Sequence, residues 1–175
     1  MKQLLFFLIM SFFIMEPACS QPPASRPAVV NQKFDKELTH LLNFSVPIIG
    51  VEELRHIQDE VYIFDAREQE EYNVSHIDGA AHLGYRQFDK EKLKEVPKDA
   101  RVILYCSVGY RSEKIGEKLR EMGYENVSNL YGSIFEWVNQ GYPIVDQNGK
   151  PTQKLHTYNS KWSKWVDNHE TEKVW

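Results

Sequence analysis

The segment Cys106-Ser107-Val108-Gly109-Tyr110-Arg111 brings a thiol, a glycine and a permanent cation into one short turn. The thiolate is the nucleophilic form of cysteine, and positive charge or free N–H groups favour it. A turn that opens a helix supplies both, through the unpaired amides of the first helical turn and the positive end of the helix dipole. Gly109 permits the tight backbone that points successive N–H groups inward, and Arg111 adds a planar fork suited to oxyanions. The chemistry expected of Cys106 is covalent catalysis within an anion cradle. The competing reading makes Cys106 a small hydrophobe ending a buried strand.

The flanking residues must decide between these. Residues 102–105, Val-Ile-Leu-Tyr, are a short continuous apolar run, the pattern of a buried parallel strand. Residues 112–122 place Ile115, Leu119 and Met122 on one helical face, with Gly123 as a stop. A cysteine between such a strand and such a helix sits where reactive cysteines sit.

The same alternation runs through the chain. Helices are predicted at 31–44 (Phe34, Leu38, Leu41, Leu42), after Gly50 (Val51, Leu54, Ile57), as a short turn at 68–72, at 89–95 with a solvated face, and at 133–139. Strands are predicted at 46–49, 61–64, 79–83 and 126–130. Strands and helices in turn, with short links, predict an α/β fold: one domain with a parallel sheet flanked by helices on both faces.

Composition agrees with a single domain. The chain has 175 residues, 42% of them apolar, enough for a real core. Its net charge of −4 and the lack of a Lys/Arg run argue against a nucleic-acid partner. The histidines show no metal-ligand spacing.

Residues 4–15 are apolar apart from Ser11, follow Lys2, and are too short to span a bilayer as a helix. Residues 1–19 are therefore expected to be a signal peptide and the Pro-rich residues 20–31 a flexible tether. Ala18-Cys19-Ser20 fits either a lipoprotein site with acylated Cys19 or ordinary cleavage after Ser20. Lipidation is preferred, although Glu16 departs from that pattern. The expected location is the periplasm or a membrane reached only through that lipid anchor. Cys106 would then be the sole thiol of the mature protein, with no partner for an internal disulfide.

Four motifs in order resemble those of the rhodanese, or thiosulfate sulfurtransferase, family. They are Phe64-Asp65-Ala66-Arg67; Glu71-Tyr72 with Ser75-His76-Ile77-Asp78-Gly79-Ala80; Cys106 to Ser112 as a Cys-x-x-Gly-x-Arg-Ser loop; and Leu130-Tyr131-Gly132-Ser133 with Trp137. Ser75, Asp78 and Ser133 depart from the family's Gly, Pro and Gly, which bears on local turns and leaves the catalytic loop intact. The resemblance implies that Cys106 takes the outer sulfur of a donor such as thiosulfate and passes it to cyanide or a thiol. Loop amides from Ser107, Val108, Gly109 and Tyr110 would hold the persulfide. Arg111, with the hydroxyls of Ser107 and Ser112, would hold the donor's oxyanion. No cofactor is implied. Asp65 and Arg67 are expected to pair and brace the loop's neighbours, and His76 to be a structural hydrogen-bonding residue.

Two other functions compete. Cysteine phosphatases of similar fold carry five residues between Cys and Arg; here there are four, a smaller pocket better suited to sulfur. A non-catalytic binding module would not need Cys106, Gly109 and Arg111 together, whereas a redox role with Cys106 as a thiol sensor is compatible with the same residues. The domain is expected to cover 32–146, including its N-terminal helix, in a monomer. Residues 147–175 form an extension in which Tyr158, Trp162, Trp165 and Val166 share one face of a helix. Left exposed, that face would be a large apolar patch, so the extension is expected to pack back on the domain.

Overall fold

The computed structural model describes residues 22–175. The expected signal segment and Cys19 lie outside them. Among the described residues no helix is long and apolar enough to cross a membrane.

Five short strands form one parallel sheet: β1 (Ile48–Ile49), β2 (Tyr62–Asp65), β3 (Ala81–His82), β4 (Arg101–Tyr105) and β5 (Asn126–Leu130), in the order β1-β5-β4-β2-β3. The central strand β4 is apolar on both faces because both are covered. Val102 and Leu104 join one buried cluster, with Phe64, Val127, and Ile115 and Leu119 of α4 (Tyr110–Glu121). Ile103 and Tyr105 join the other. That second cluster collects side chains from α1 (Gln32–Leu41), α2 (Val51–Ile57) and α5 (Ser133–Asn139), among them Phe34, Leu54 and Trp137. The short helix α3 (Gln69–Val74) follows β2.

Three local expectations are corrected. The charged stretch 89–95 forms only a tight 3-10 turn at Lys90–Leu93, because Leu93 is its one buried residue and a single apolar anchor gives no helical face. The loop after β4 is shorter than six residues, since α4 already begins at Tyr110. Residues 26–30 are not a free tether. Arg26 pairs with Asp35 at 3.0 Å, and the Val30 amide donates to Glu136 at 2.9 Å.

The C-terminal extension also departs from expectation. A β6 (Ile144–Val145)/β7 (Pro151–Thr152) hairpin turns through Asn148-Gly149, a pair suited to a tight reversal. Then β8 (Lys154–His156) pairs in parallel with β9 (Glu172–Val174). Between the paired strands lies a single turn of helix, α6 (Ser160–Ser163), capped by Asn159. Tyr158 precedes that turn and Trp165 follows it, so the four expected residues do not share a helical face. They are placed individually. Val166 is buried, Trp165 stacks on Phe34 with ring centroids 5.5 Å apart, and the Trp165 carbonyl accepts from Asn139 at 2.9 Å. Asn31, the N-cap of α1, donates to Asp167 at 2.6 Å. The strand pair sets this geometry, and a helical periodicity read from sequence carries no sign of strand pairing between distant residues.

Candidate active site

Cys106 is the first residue after β4 and is almost fully buried, at 1% exposure. Its amide donates to the Ser133 hydroxyl at 3.2 Å, while its carbonyl accepts from the Ile134 amide at 3.3 Å. The loop is thus tied to the start of α5 on one side and runs into α4 on the other. Gly109 turns the chain at φ +116, a conformation that side chains avoid, and its amide donates to Cys106 Sγ at 3.1 Å. The amides of Ser107, Val108, Tyr110 and Arg111 find no acceptor among the described residues. These are the orphan donors of a loop entering a helix, and they are free for an anion.

The thiol's environment decides its protonation. Burial pushes the Cys106 thiol up; the Arg111 charge, the hydroxyl and amide of Ser112 and the Gly109 amide outweigh it, and the pKa lies below the ordinary thiol value. Alkylation of Cys106 by iodoacetamide should therefore titrate with a midpoint below that of a free thiol. In Arg111→Gln the midpoint should move up, since the amide keeps a donor and loses the charge. A midpoint unmoved by this change would mean that the hydrogen bonds alone hold the thiolate.

Arg111 and Ser112 differ from expectation. The Arg111 side chain is 13% exposed and is not a free cation at the rim. Its fork is occupied by Glu71 of α3, Nη1 to Oε2 at 2.5 Å and Nη2 to Oε1 at 2.8 Å, with Nη2 also donating to Ser107 Oγ at 2.9 Å. This bidentate geometry is the strong form of an Arg–carboxylate pair. Burial pushes the Glu71 carboxyl up, but Arg111, Arg67 and the Glu68 amide hold it below the usual range. The bridge is therefore present at neutral pH and is lost only as pH falls through that lowered value. The Ser112 hydroxyl is fully buried and donates to Asn129 Oδ1 at 2.7 Å, which removes it from the donor-binding surface.

Asn129, Glu71 and Ser133 carry site geometry without having been assigned a role from the sequence. Asn129 on β5 clasps the loop, donating from Nδ2 to the Gly109 carbonyl at 2.9 Å. Ser133 adopts φ +54, which explains why the family pattern has glycine there, and its hydroxyl accepts from the Cys106 amide, a contact glycine could not make. Asp65 and Arg67 form a fully buried bidentate pair at the end of β2, beside Tyr105. His76 stacks on Tyr72 at 3.9 Å and bonds the Tyr72 carbonyl at 3.1 Å, and burial lowers its pKa.

A cleft of about 250 Å³ opens over this loop, lined by Cys106, Ser107, Val108, Tyr110 and Arg111, and by Tyr158 and Trp162 from the extension. A buried thiol at the end of a central parallel strand, held in a loop of free amides, is the centre of this α/β domain. The sequence model of the Rhodanese-like domain matches residues 51–140, and the chain belongs to that family.

Individual relatives agree. The chain is 30% identical over 89 residues to the thiosulfate sulfurtransferase GlpE of Coxiella burnetii, covering 51% of this chain and 81% of that protein. It is 33% identical over 94 residues to the tRNA uridine(34) hydroxylase of Erwinia tasmaniensis, covering 49% of this chain and only 27% of that protein. Among solved structures, a rhodanese-related protein of Thermoplasma volcanium superposes with a TM-score of 0.51 at 26% identity, over 57% of this chain and 97% of that one.

Proposed function

We propose that the protein is a sulfurtransferase that moves a sulfane sulfur from an anionic donor such as thiosulfate to a thiol or cyanide through a persulfide on Cys106. The observation that carries this reading is a thiol held below its ordinary pKa beside four unpartnered loop amides. The Cys106 thiolate attacks the outer sulfur of thiosulfate, a new S–S bond forms, the bond to the sulfonate sulfur breaks, and sulfite leaves with the electron pair. The persulfide anion keeps the charge the thiolate had, and the loop amides are positioned to hold its outer sulfur. A thiolate or cyanide then attacks that sulfur and returns the Cys106 thiolate, so no outside oxidant is consumed.

Arg111 acts in this scheme through Glu71. With its fork occupied, it lends positive charge to the thiolate and holds Ser107 in place, and the amides do the direct anion binding. The similarity to GlpE supports a thiosulfate donor. The match to the tRNA hydroxylase spans about a quarter of that protein, too little to bring its reaction here. We further propose that the protein is exported, by the apolar character of residues 4–15, and anchored by lipid at Cys19.

Intact-mass spectrometry after thiosulfate treatment without reductant should show one added sulfur on Cys106, removed by cyanide with release of thiocyanate. An unchanged mass together with rapid hydrolysis of an aryl phosphate would replace this reading with a phosphatase.

A further inference from the structure

The cleft above Cys106 is larger and more apolar than a small tetrahedral anion needs. Its floor is the loop, with Val108 beside the thiol; its walls are Leu41 of α1, Tyr85, Tyr110, and Tyr158 and Trp162 of the extension. Arg111, the cation at the floor, already has its hydrogen-bonding fork occupied by Glu71. Anion binding at the floor is therefore left to the free amides, while the walls above them are mainly aromatic or aliphatic, with Glu68 and Arg86 also lining the cleft. Arg86, 77% exposed and 3.7 Å from Glu68, stands at the mouth.

The extension holds its part of the wall deliberately. Tyr158 has φ +66, a left-handed conformation that a bulky L-residue avoids and that persists only where the surroundings impose it. The surroundings here are the Thr157 amide bonded to the Val174 carbonyl at 2.8 Å and the Tyr158 amide bonded to His156 Nδ1 at 3.1 Å. The Tyr158 ring is thereby set over the Arg111 guanidinium, 5.3 Å from its carbon to the ring centroid. Trp162, in the turn capped by Asn159, is packed against the main core.

We propose that the extension makes Cys106 selective for sulfur compounds with an apolar, planar body behind a small anionic or thiol head. The head sits among the loop amides next to Sγ, and the body stacks between Tyr158, Trp162 and the wall formed by Leu41 and Tyr85. The proposal rests on the sulfur-transfer reading for the chemistry of the head; of the residues that select the body, Leu41, Tyr158 and Trp162 lie outside the segment matched by the family model and Tyr85 lies within it.

Binding of unreactive analogues separates the two ideas. Benzenesulfonate and methanesulfonate share a head, carry no transferable sulfur and differ only in the body. Isothermal titration of the full chain should give benzenesulfonate an affinity at least about ten-fold higher, as burial of a ring in an apolar cleft requires. Tyr158→Asn removes the ring while keeping a residue that tolerates the left-handed backbone, and it should cut that preference to about two-fold or less. Trp162→Leu, with a thermal melt to confirm folding, should also reduce it. Equal affinity of the two sulfonates, no binding of either, or a preference unchanged in folded Tyr158→Asn and Trp162→Leu would overturn the proposal. Failure of thiosulfate to load Cys106 would instead defeat the sulfur-transfer reading, and the sulfonate comparison would still decide the cleft.

Discussion

Cys106→Ser should lose sulfur transfer by roughly 10³-fold or more while leaving the fold in place, a barrier increase of about 4 kcal/mol or greater. Serine matches the shape of cysteine, so the Gly109 amide keeps an acceptor and the buried position keeps nearly its volume. What changes is the nucleophile. A hydroxyl is not ionised by the charge and hydrogen bonds that bring the Cys106 thiol below its ordinary value. Even where it attacks, it cannot form the S–S bond on which the two-step transfer depends. The measurement is thiocyanate release from thiosulfate and cyanide, beside a thermal melt of the same sample. Activity within ten-fold of the wild type would exclude a Cys106 persulfide. An unfolded variant would be followed by Cys106→Ala, which asks the same question without a buried hydroxyl. Unlike the Arg111→Gln change, which adjusts how readily the thiolate forms, this one removes it.

The sequence made the centre of this site visible and its supports invisible, for one physical reason. Features coded locally were legible: the apolar run of β4, the Gly109 turn and the amphipathic face of α4 are each written within a few adjacent residues. The parallel sheet followed from the alternation of such units. The partner of Arg111 was not legible, because Glu71 stands 40 residues earlier and nothing near either residue names the other. Glu71 lay in a recognisable segment, yet only the packing of α3 against the loop turns it from a surface carboxylate into the occupant of the Arg111 fork. Asn129 is a similar case, a polar residue in the middle of a strand with no local partner. A polar side chain at a position that the pattern marks as buried is itself a signal, since it must find hydrogen bonds there. The extension failed differently. Its aromatic spacing fits one helical face, and the parallel pairing of β8 with β9 overrode that pattern, because strand pairing is a long-range contact that periodicity cannot register.

Asp65→Ala should lower stability by about 3–5 kcal/mol, the cost of leaving a buried charge without its partner. For a chain of this size that is a fall in melting temperature of roughly 10 °C or more. Both members of the pair have fully buried side chains. Arg67 donates to Asp65 from Nε at 3.0 Å and from Nη2 at 2.6 Å, and Nη2 also reaches the Ser75 carbonyl at 2.6 Å. Burial alone would lower the Arg67 pKa, and the charge and hydrogen bonds of Asp65 outweigh it and raise it. Without the carboxylate the guanidinium still stays charged, because arginine is not deprotonated in proteins. The alanine variant thus strands a cation against the Tyr105 ring, one residue before Cys106. The pair itself need not be a net source of stability, because two charges have been taken out of water to make it. The double variant Asp65→Leu/Arg67→Met should therefore recover much of the loss, since it removes both charges and fills a similar volume. Recovery would show that the pair fixes the join between β2 and the loop instead of supplying net stabilisation. A double variant as unstable as Asp65→Ala would show that the Ser75 and Tyr105 contacts of Arg67 hold the strand end in their own right. If Asp65→Ala melted within 2 °C of the wild type, water would be reaching Arg67, and the join beside Cys106 would be open to solvent.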